Sequence, residues 1–147
     1  MNREAGTSDQ SLKREAIKHL LKLAGQSMKN AYVPYSNYRV GAALLDDQGN
    51  YYSGCNIENA SFGLSVCAER TAIFKAISEG VRKIKALAVI SETDKLASPC
   101  GACRQVMIEF GTQALVVMGN KHGDYQVLQI EALLPEAFKG ENMHQDV

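Results

Sequence analysis

The segment 40–55, VGAALLDDQGNYYSGC, decides how the sheet of this protein is built. Its first part, 40–45, is a run of apolar residues and glycine that predicts a buried strand. Residues 46–50 include two aspartates, a glycine and an asparagine, which favour a turn, and 51–55 predicts the returning strand of a hairpin. Because two strands joined by a short turn run antiparallel, this hairpin argues against an all-parallel sheet.

Helices and strands alternate through the rest of the chain. Apolar residues recur at helical spacing from Leu12 to about Lys29, which predicts an amphipathic first helix. The other predicted elements are, in chain order, a helix from near Val66 to Gly80, a strand over 84–90, a helix with Ser98 as N-cap and Pro99 at its first position that ends at Gly111, strands over 114–118 and 125–128, and a closing helical segment over 130–138 that Pro135 interrupts. We therefore expect an α/β fold with three layers, α/β/α, and a mixed sheet of roughly five strands.

Length and composition predict one globular domain. The chain has 147 residues, of which 46% are hydrophobic and 22% are charged, and this balance is ordinary for a soluble domain with a proper core. We expect a flexible N-terminal tail over 1–10, the domain over 11–138 and a C-terminal tail over 139–147.

Charge and hydropathy exclude some classes of partner. The 16 basic and 16 acidic residues balance, and no run of Lys or Arg is present, which favours a small-molecule partner and no nucleic acid. No apolar run approaches the roughly 20 residues of a membrane span, and the start of the chain lacks the apolar core of a signal peptide. We therefore expect no membrane association and a cytoplasmic location. In that reducing compartment, four cysteines indicate metal binding or catalysis before disulfides.

Three cysteines occur in the motifs CAE and PCGAC, each at the predicted N-terminus of a helix. Cys100 and Cys103 are three residues apart, so their sulfurs share one helical face and can reach a single ion. Zinc binds thiolates in a tetrahedron, and three protein ligands leave one position for water. We therefore predict that Cys67, Cys100 and Cys103 bind zinc. Glu69 lies two residues after Cys67, where its carboxylate can lean over the open position and move protons as the catalytic residue.

A closed structural zinc site is the alternative to a catalytic one. Such a site needs a fourth ligand, for which His19, His122 and His144 are the candidates. None of the three has helpful spacing to the cysteines. The remaining cysteine, Cys55, falls in a predicted strand, where a small buried or pocket-lining role is favoured over metal binding.

The motifs around these cysteines resemble those of the small homotetrameric cytidine deaminases. The matching stretches, which lie between about residue 12 and about residue 138, are VGAAL (40–44), CNIENA (55–60), CAERTA (67–72), PCGACRQ (99–105) and LLPEAF (133–138). The resemblance implies the cytidine deaminase fold, one zinc ion per subunit and a homotetramer. It also implies hydrolytic deamination of cytidine and deoxycytidine to uridine and deoxyuridine in pyrimidine salvage. In that reaction zinc-bound hydroxide attacks C4 and Glu69 shuttles protons.

The resemblance assigns four residues to the nucleoside substrate. Asn56 and Glu58 would hold the ribose hydroxyls, and turn capping after the strand is the alternative for both. The backbone of Ala68 would contact the base. Tyr38 occupies the place where the family usually has Phe against the nucleoside, and a core or interface aromatic is the alternative. This Tyr is the clearest departure from the family, because its added hydroxyl needs a partner or solvent.

Three further residues complete the expected site. Phe62 and Phe138 match family positions that reach the active site from neighbouring subunits, although simple core packing is the alternative. Zinc with three thiolates carries one net negative charge, which makes bound water harder to ionise. We therefore expect Arg70, beside Glu69, to offset this charge by hydrogen bonding to the ligand sulfurs.

Three kinds of function compete for this sequence. Deamination of free nucleosides is the leading one. A polynucleotide-editing deaminase uses the same metal chemistry, but the balanced charge argues against it; a deaminase of the blasticidin type would make NIEN at 56–59 an unexpected match. A zinc-stabilised interaction module without enzymatic activity would leave Glu69 unexplained.

Overall fold

The computed structural model describes residues 12–143 of the chain. The predicted N-terminal tail, 1–10, and the last four residues lie outside this range. The helices are α1 (Arg14–Met28), α2 (Ala68–Ser78), α3 (Gly101–Phe110) and α4 (Ile130–Leu133), and the strands are β1 (Val40–Asp46), β2 (Tyr51–Cys55), β3 (Ile84–Ser91), β4 (Leu115–Gly119) and β5 (Tyr125–Gln129), with short 3-10 turns at Phe62–Leu64 and Gly140–Met143.

The five strands form one mixed sheet in the order β2-β1-β3-β4-β5. Strand β1 is antiparallel to both β2 and β3, so the predicted hairpin is present. Strands β3 and β4 are parallel, and β5 is antiparallel to β4. The prediction of a mixed sheet of about five strands is confirmed.

Helices cover both faces of the sheet. Successive residues of β1 point to opposite faces, as the period of a strand requires. Ala42 and Leu44 pack in one buried cluster with α2, α3 and α4, whereas Ala43 and Leu45 pack in a second cluster with α1. The predicted three layers, α/β/α, are therefore confirmed.

Two helices begin near the same edge of the sheet. Gly41 of β1 pairs with Cys55 on one side and with Ile90 on the other, so β2 and β3 run in the same direction and end level with each other. The chain after β2 leads to α2, and the chain after β3 leads to α3. Helix α2 lies close against β2, because a Cβ atom at Gly54 would stand 2.6 Å from the backbone nitrogen of Ala72.

Helix α2 begins at Ala68 and not near Val66, so the predicted start was two residues early. Val66 is held in a bridge with Ile57, in which each backbone nitrogen donates to the other residue's carbonyl at 2.9 and 3.0 Å. An extended residue paired in this way cannot be part of the first helical turn. Cys67 is consequently the N-cap of α2.

Helix α3 also begins later than predicted. Ser98 is not its N-cap, because the Ser98 hydroxyl accepts a hydrogen bond from Arg104 at 2.8 Å instead of one from the helix backbone. Pro99 precedes the helix, and Cys100 is the N-cap in an extended conformation, with φ −67° and ψ 167°.

The C-terminal part differs from the sequence-based expectation in one more respect. Helix α4 ends at Leu133, so the closing helix covers only the first part of the predicted segment 130–138. Pro135 disfavours helical backbone in the residue before it, and Leu134 is accordingly not helical, with φ −142° and ψ 71°. The division into a domain over 11–138 and two tails stays a prediction. No helix within residues 12–143 is long and apolar enough to span a bilayer.

Candidate metal centre

Two helix N-termini hold the three predicted zinc ligands. Cys67 is the N-cap of α2 and Cys100 is the N-cap of α3, while Cys103 lies in the first turn of α3 and is fully buried. The first turn of a helix has backbone N–H groups without intrahelical partners, and the helix dipole is positive there. Both features stabilise thiolates, so each helix favours ionised sulfur at its start.

The three sulfur atoms lie close enough to bind one ion. The Sγ atoms of Cys67 and Cys100 are 3.7 Å apart, and all three sulfurs lie within 4.8 Å of one another. A tetrahedral zinc ion with bonds of about 2.3 Å separates its sulfur ligands by about 3.8 Å. Within residues 12–143, no His, Asp or Glu joins this group. The geometry therefore suits a three-thiolate site with one open position.

The protonation of the thiols also favours a cation. The hydrogen bond from the Cys103 thiol, followed by contacts with Arg70, lowers the pKa of Cys67 to about 5. The same contact with Cys67, together with burial, raises the pKa of Cys103. One thiol of this pair is thus more acidic and the other less acidic than a free cysteine. A bound metal ion favours deprotonation of each ligand, and soft thiolates suit zinc.

Arg70 lies where the charge argument requires it. Its Nη2 atom donates to the Sγ of Cys67 at 3.4 Å, and this hydrogen bond raises the pKa of the guanidinium. The Nε atom of Arg70 is buried without a hydrogen-bond partner. The contacts of the guanidinium with Cys67 and Cys103 therefore place its positive charge beside the sulfurs.

Glu69 is a buried carboxyl next to the thiols. It is only 4% exposed and lies in the first turn of α2. Burial, and secondarily the charge of Cys67, raises the pKa of Glu69 to about 7. A carboxyl group with such a pKa can both accept and donate a proton near neutral pH.

A cavity of about 210 Å³ opens beside the sulfurs and Glu69. This volume is below the roughly 300 Å³ of pockets for drug-sized ligands, so it suits a single small ring. The predicted site residues that line it are Tyr38, Asn56, Cys67, Ala68, Glu69 and Cys100. Ala97 and Ser98 also line it, although the sequence had not indicated either of them as a site residue.

Asn56 has the capping role that the sequence left open, and it also lines the cavity. Its amide oxygen accepts from the backbone nitrogen of Val40 at 2.9 Å, and its amide nitrogen donates to the carbonyl of Tyr38 at 2.8 Å. These bonds hold the start of β1, which is the capping role. The side chain also lines the cavity, so one N–H and one lone pair of the amide remain in principle for a ligand.

Glu58 lies in a second hollow, of about 300 Å³, next to Tyr35, Ser36 and Phe62. One carboxylate oxygen, Oε1, accepts from the backbone nitrogens of Tyr35 at 3.0 Å and Ser36 at 3.1 Å. Hydrogen bonds, first of all the one from the Ser36 side chain, lower the pKa of Glu58, which keeps it ionised. The structure thus places Asn56 and Glu58 in different hollows.

Phe62 and Phe138 do not pack in the core. Phe62 is 74% exposed, and its ring forms an edge-to-face pair with that of Tyr35, with ring centroids 5.7 Å apart. Phe138 is 60% exposed, and its carbonyl accepts from the side chain of Gln105 at 2.8 Å. Core packing, the alternative for both residues, is therefore wrong, and their role towards a neighbouring subunit stays a prediction.

The histidines do not supply a fourth ligand within the described residues. The ring of His19 packs edge-on against Tyr51 at 4.5 Å, and Nε2 of His122 lies 2.7 Å from a carboxylate oxygen of Asp94. His144 lies outside the described residues. For His19 and His122, the closed structural site is therefore wrong. Cys55 is a free, half-buried cysteine in β2, outside the sulfur cluster.

A mixed sheet between helices, three thiols at two helix N-termini and a carboxyl that does not join them define the class of zinc-dependent deaminases. The family profile described as "Cytidine and deoxycytidylate deaminase zinc-binding region" matches residues 14–119. The chain belongs to this cytidine and deoxycytidylate deaminase family.

Several proteins are similar to the chain over most of its length. The cytidine deaminase of Halalkalibacterium halodurans is 52% identical over 126 residues, which cover 85% of this chain and 96% of that protein. The cytidine deaminase of Sporosarcina psychrophila is 48% identical over 128 residues, which cover 86% of this chain and 94% of that protein. The crystal structure of cytidine deaminase from Burkholderia pseudomallei superposes with a TM-score of 0.80 at 48% identity, covering 86% of this chain and 100% of that one.

The cluster predicts that zinc binding depends on Cys100 but not on Cys55. We expect the purified protein to contain about one zinc ion per chain, and Cys100→Ala to lose most of it, because two thiolates hold zinc far more weakly than three. Metal content is measured by mass spectrometry of the eluted ions. Cys55→Ala is the matched control and should keep its zinc. Equal zinc in the two variants would contradict the assigned ligands.

The contact between Arg70 and Cys67 predicts that Arg70→Ala weakens turnover or zinc retention about 10- to 100-fold, the usual effect of removing a residue that supports a metal ligand. Zinc release to a chelator and deaminase turnover are the two measurements. Lys75→Ala, on the same helix but bonded to the carbonyl of Ser53, is the control. Unchanged zinc release and turnover in Arg70→Ala would contradict the role of Arg70 in balancing the charge of the sulfurs.

Proposed function

We propose that this protein is a cytidine deaminase that hydrolyses cytidine and deoxycytidine to uridine and deoxyuridine with the help of one zinc ion. The observation that carries the proposal is Glu69, a buried carboxyl that lines a small cavity beside three thiols without joining them. The family match and the relatives named as cytidine deaminases support it.

The residues of the chain divide the chemistry between them. Cys67, Cys100 and Cys103 would hold the zinc ion, which when bound acts as a Lewis acid and lowers the pKa of water. Glu69 takes a proton from the attacking water and delivers it to ring N3. It then takes the second proton from the hydroxyl now attached to C4 and gives it to the amine, so that the C4–N bond breaks, ammonia leaves and the C4 carbonyl forms. Its pKa near 7 supports this exchange, because neither protonation state is strongly favoured.

Recognition of the substrate rests on four residues. The backbone nitrogen of Ala68 is at the first position of α2, where it has no partner within the helix, so it can donate to the base. Tyr38 packs its ring against the nucleoside, and its half-exposed side chain leaves the hydroxyl access to solvent. Asn56 binds a ribose hydroxyl from the cavity beside the sulfurs, and Glu58 binds another from the second hollow.

A free nucleoside is a better candidate substrate than a polynucleotide. Polynucleotide binding depends on basic side chains that neutralise phosphates, and the chain has equal numbers of basic and acidic residues. The cavity beside Glu69 is also small, about 210 Å³, which favours a small-molecule substrate over a polynucleotide. We assign the activity to pyrimidine salvage in the cytoplasm.

Deaminase activity predicts a selective change in ultraviolet absorbance. We expect turnover of cytidine and deoxycytidine, and little or none of a cytosine-bearing oligonucleotide or blasticidin S. Glu69→Gln should lower kcat by at least about 100-fold, the usual contribution of general acid–base catalysis, while zinc content stays at the wild-type level. Glu79→Gln, beyond the other end of α2, is the control and should stay active. Full activity in Glu69→Gln would contradict the role of Glu69.

We further propose that four copies of the chain assemble and complete one another's pockets. Two large apolar rings, Phe62 and Phe138, are mostly exposed, which costs free energy in an isolated subunit. Phe62 borders the hollow that contains Glu58. A ring supplied by a neighbouring copy would close that hollow over a bound ribose.

Assembly predicts that Phe62 affects both oligomeric state and substrate binding. Sedimentation should give a mass of four chains for the wild type, and Phe62→Ala should weaken assembly or raise KM for cytidine about tenfold, because a buried aromatic contact is lost. Met143→Ala, which removes another exposed apolar side chain, is the control. A fully active monomer would rule out the shared pocket.

A further inference from the structure

Arg104 forms three hydrogen bonds to two separate segments of the chain. Its Nε donates to the carbonyl of Pro99 at 2.8 Å, and one terminal nitrogen, Nη2, donates to the hydroxyl of Ser98 at 2.8 Å. The other terminal nitrogen, Nη1, donates to the carbonyl of Leu133 at 2.7 Å. The side chain is half-buried and does not line the cavity.

The segment before α3 depends on such support because it has no regular structure. Residues 97–100 belong to neither a helix nor a strand, yet Ala97 and Ser98 line the cavity and Cys100 supplies a sulfur. On one side, Ala97 is held by a bond from its backbone nitrogen to the carbonyl of Gly119 at 2.9 Å. The side chain of Arg104 bonds the next two residues, Ser98 and Pro99.

We propose that Arg104 is a positioning residue that fixes Cys100 towards the metal and fixes the Ala97–Ser98 wall towards the nucleoside. The inference rests on the proposed function for its substrate, but not for its effect on the metal. Arg104 acts through Ser98 and Pro99, the two residues that precede Cys100 in the chain. Its own backbone nitrogen donates to the carbonyl of Cys100 at 3.0 Å, so side chain and backbone hold the same short segment.

The same residue joins the metal centre to the C-terminal part of the domain. The carbonyl of Leu133 is at the end of α4, where helix carbonyls lack intrahelical partners, so Arg104 caps this helix. The adjacent Gln105 donates to the carbonyl of Phe138 at 2.8 Å. These two side chains therefore anchor both ends of 133–138 to α3.

Lysine cannot replace this arginine. The guanidinium presents N–H groups from three nitrogen atoms in a fixed plane, and here all three nitrogens reach different acceptors. An ammonium group carries its three N–H donors on one nitrogen at the end of a flexible stem, so it cannot reproduce this planar set of bonds from three nitrogens to two segments. Arg104→Lys therefore keeps the charge and removes the geometry.

The test compares Arg104→Lys with Arg82→Lys in the zinc-loaded, full-length protein. Arg82 also donates to two backbone carbonyls, those of Ile77 and Val81, but lies beyond the far end of α2. We expect Arg104→Lys to release zinc to a chelator about tenfold faster and to raise KM for cytidine about tenfold. The value of kcat should fall less, because Glu69 is on α2, which Arg104 does not bond. Arg82→Lys should match the wild type in zinc release and KM.

Thermal unfolding of the two variants separates positioning from general stability. The proposal is supported if the two variants lose Tm to a similar extent but only Arg104→Lys changes zinc release and KM. It is overturned if Arg104→Lys has the same zinc release and the same KM as Arg82→Lys. Arg104→Ala should show larger effects, and if that variant does not fold, the lysine variant still decides. If the wild type does not turn over cytidine, the proposed function fails, and zinc release alone then tests Arg104.

Discussion

The structure depends on bringing three sulfur atoms within 4.8 Å of one another at the start of two helices. Close sulfurs repel when they are all ionised, so the arrangement needs positive charge from its surroundings. The N-termini of α2 and α3 supply part of it, and the guanidinium of Arg70 supplies a full charge at 3.4 Å from Cys67. A zinc ion supplies the rest of the positive charge. The fold that brings the sulfurs together therefore also requires the metal to balance them.

The topology of the sheet makes this meeting of helices possible. Strands β2 and β3 both run antiparallel to the strand between them, so they end at the same edge. Glycine then allows close packing at two points: a Cβ at Gly41 would lie 1.9 Å from the carbonyl oxygen of Ala24, and a Cβ at Gly54 would crowd α2. Small residues in the sheet therefore bring α1 and α2 nearer than ordinary side chains would permit.

The sequence predicts the parts of the structure whose signals are local. The apolar run and turn at 40–55 predict the hairpin, and the spacing of Cys100 and Cys103 predicts a shared ion. The starts of α2 and α3 were wrong because contacts outside the helical turns replace the predicted ones: Ile57 pairs with Val66, and the Arg104 side chain bonds the hydroxyl of Ser98. Capping and spacing patterns do not report such contacts, and the bond from Arg104 to Leu133 spans 29 residues, so the support that Arg104 gives to the ligand segment is visible only in three dimensions.

Asn56 shows why capping and ligand binding need not be alternatives. Its two hydrogen bonds to the backbone of Tyr38 and Val40 fix the orientation of the amide. An amide that is already fixed would lose little conformational entropy in the proposed contact between its remaining N–H or lone pair and a ribose hydroxyl. The same reasoning applies to Glu58, whose Oε1 is held by two backbone nitrogens. The structural hydrogen bonds of these side chains are therefore compatible with the proposed ribose binding.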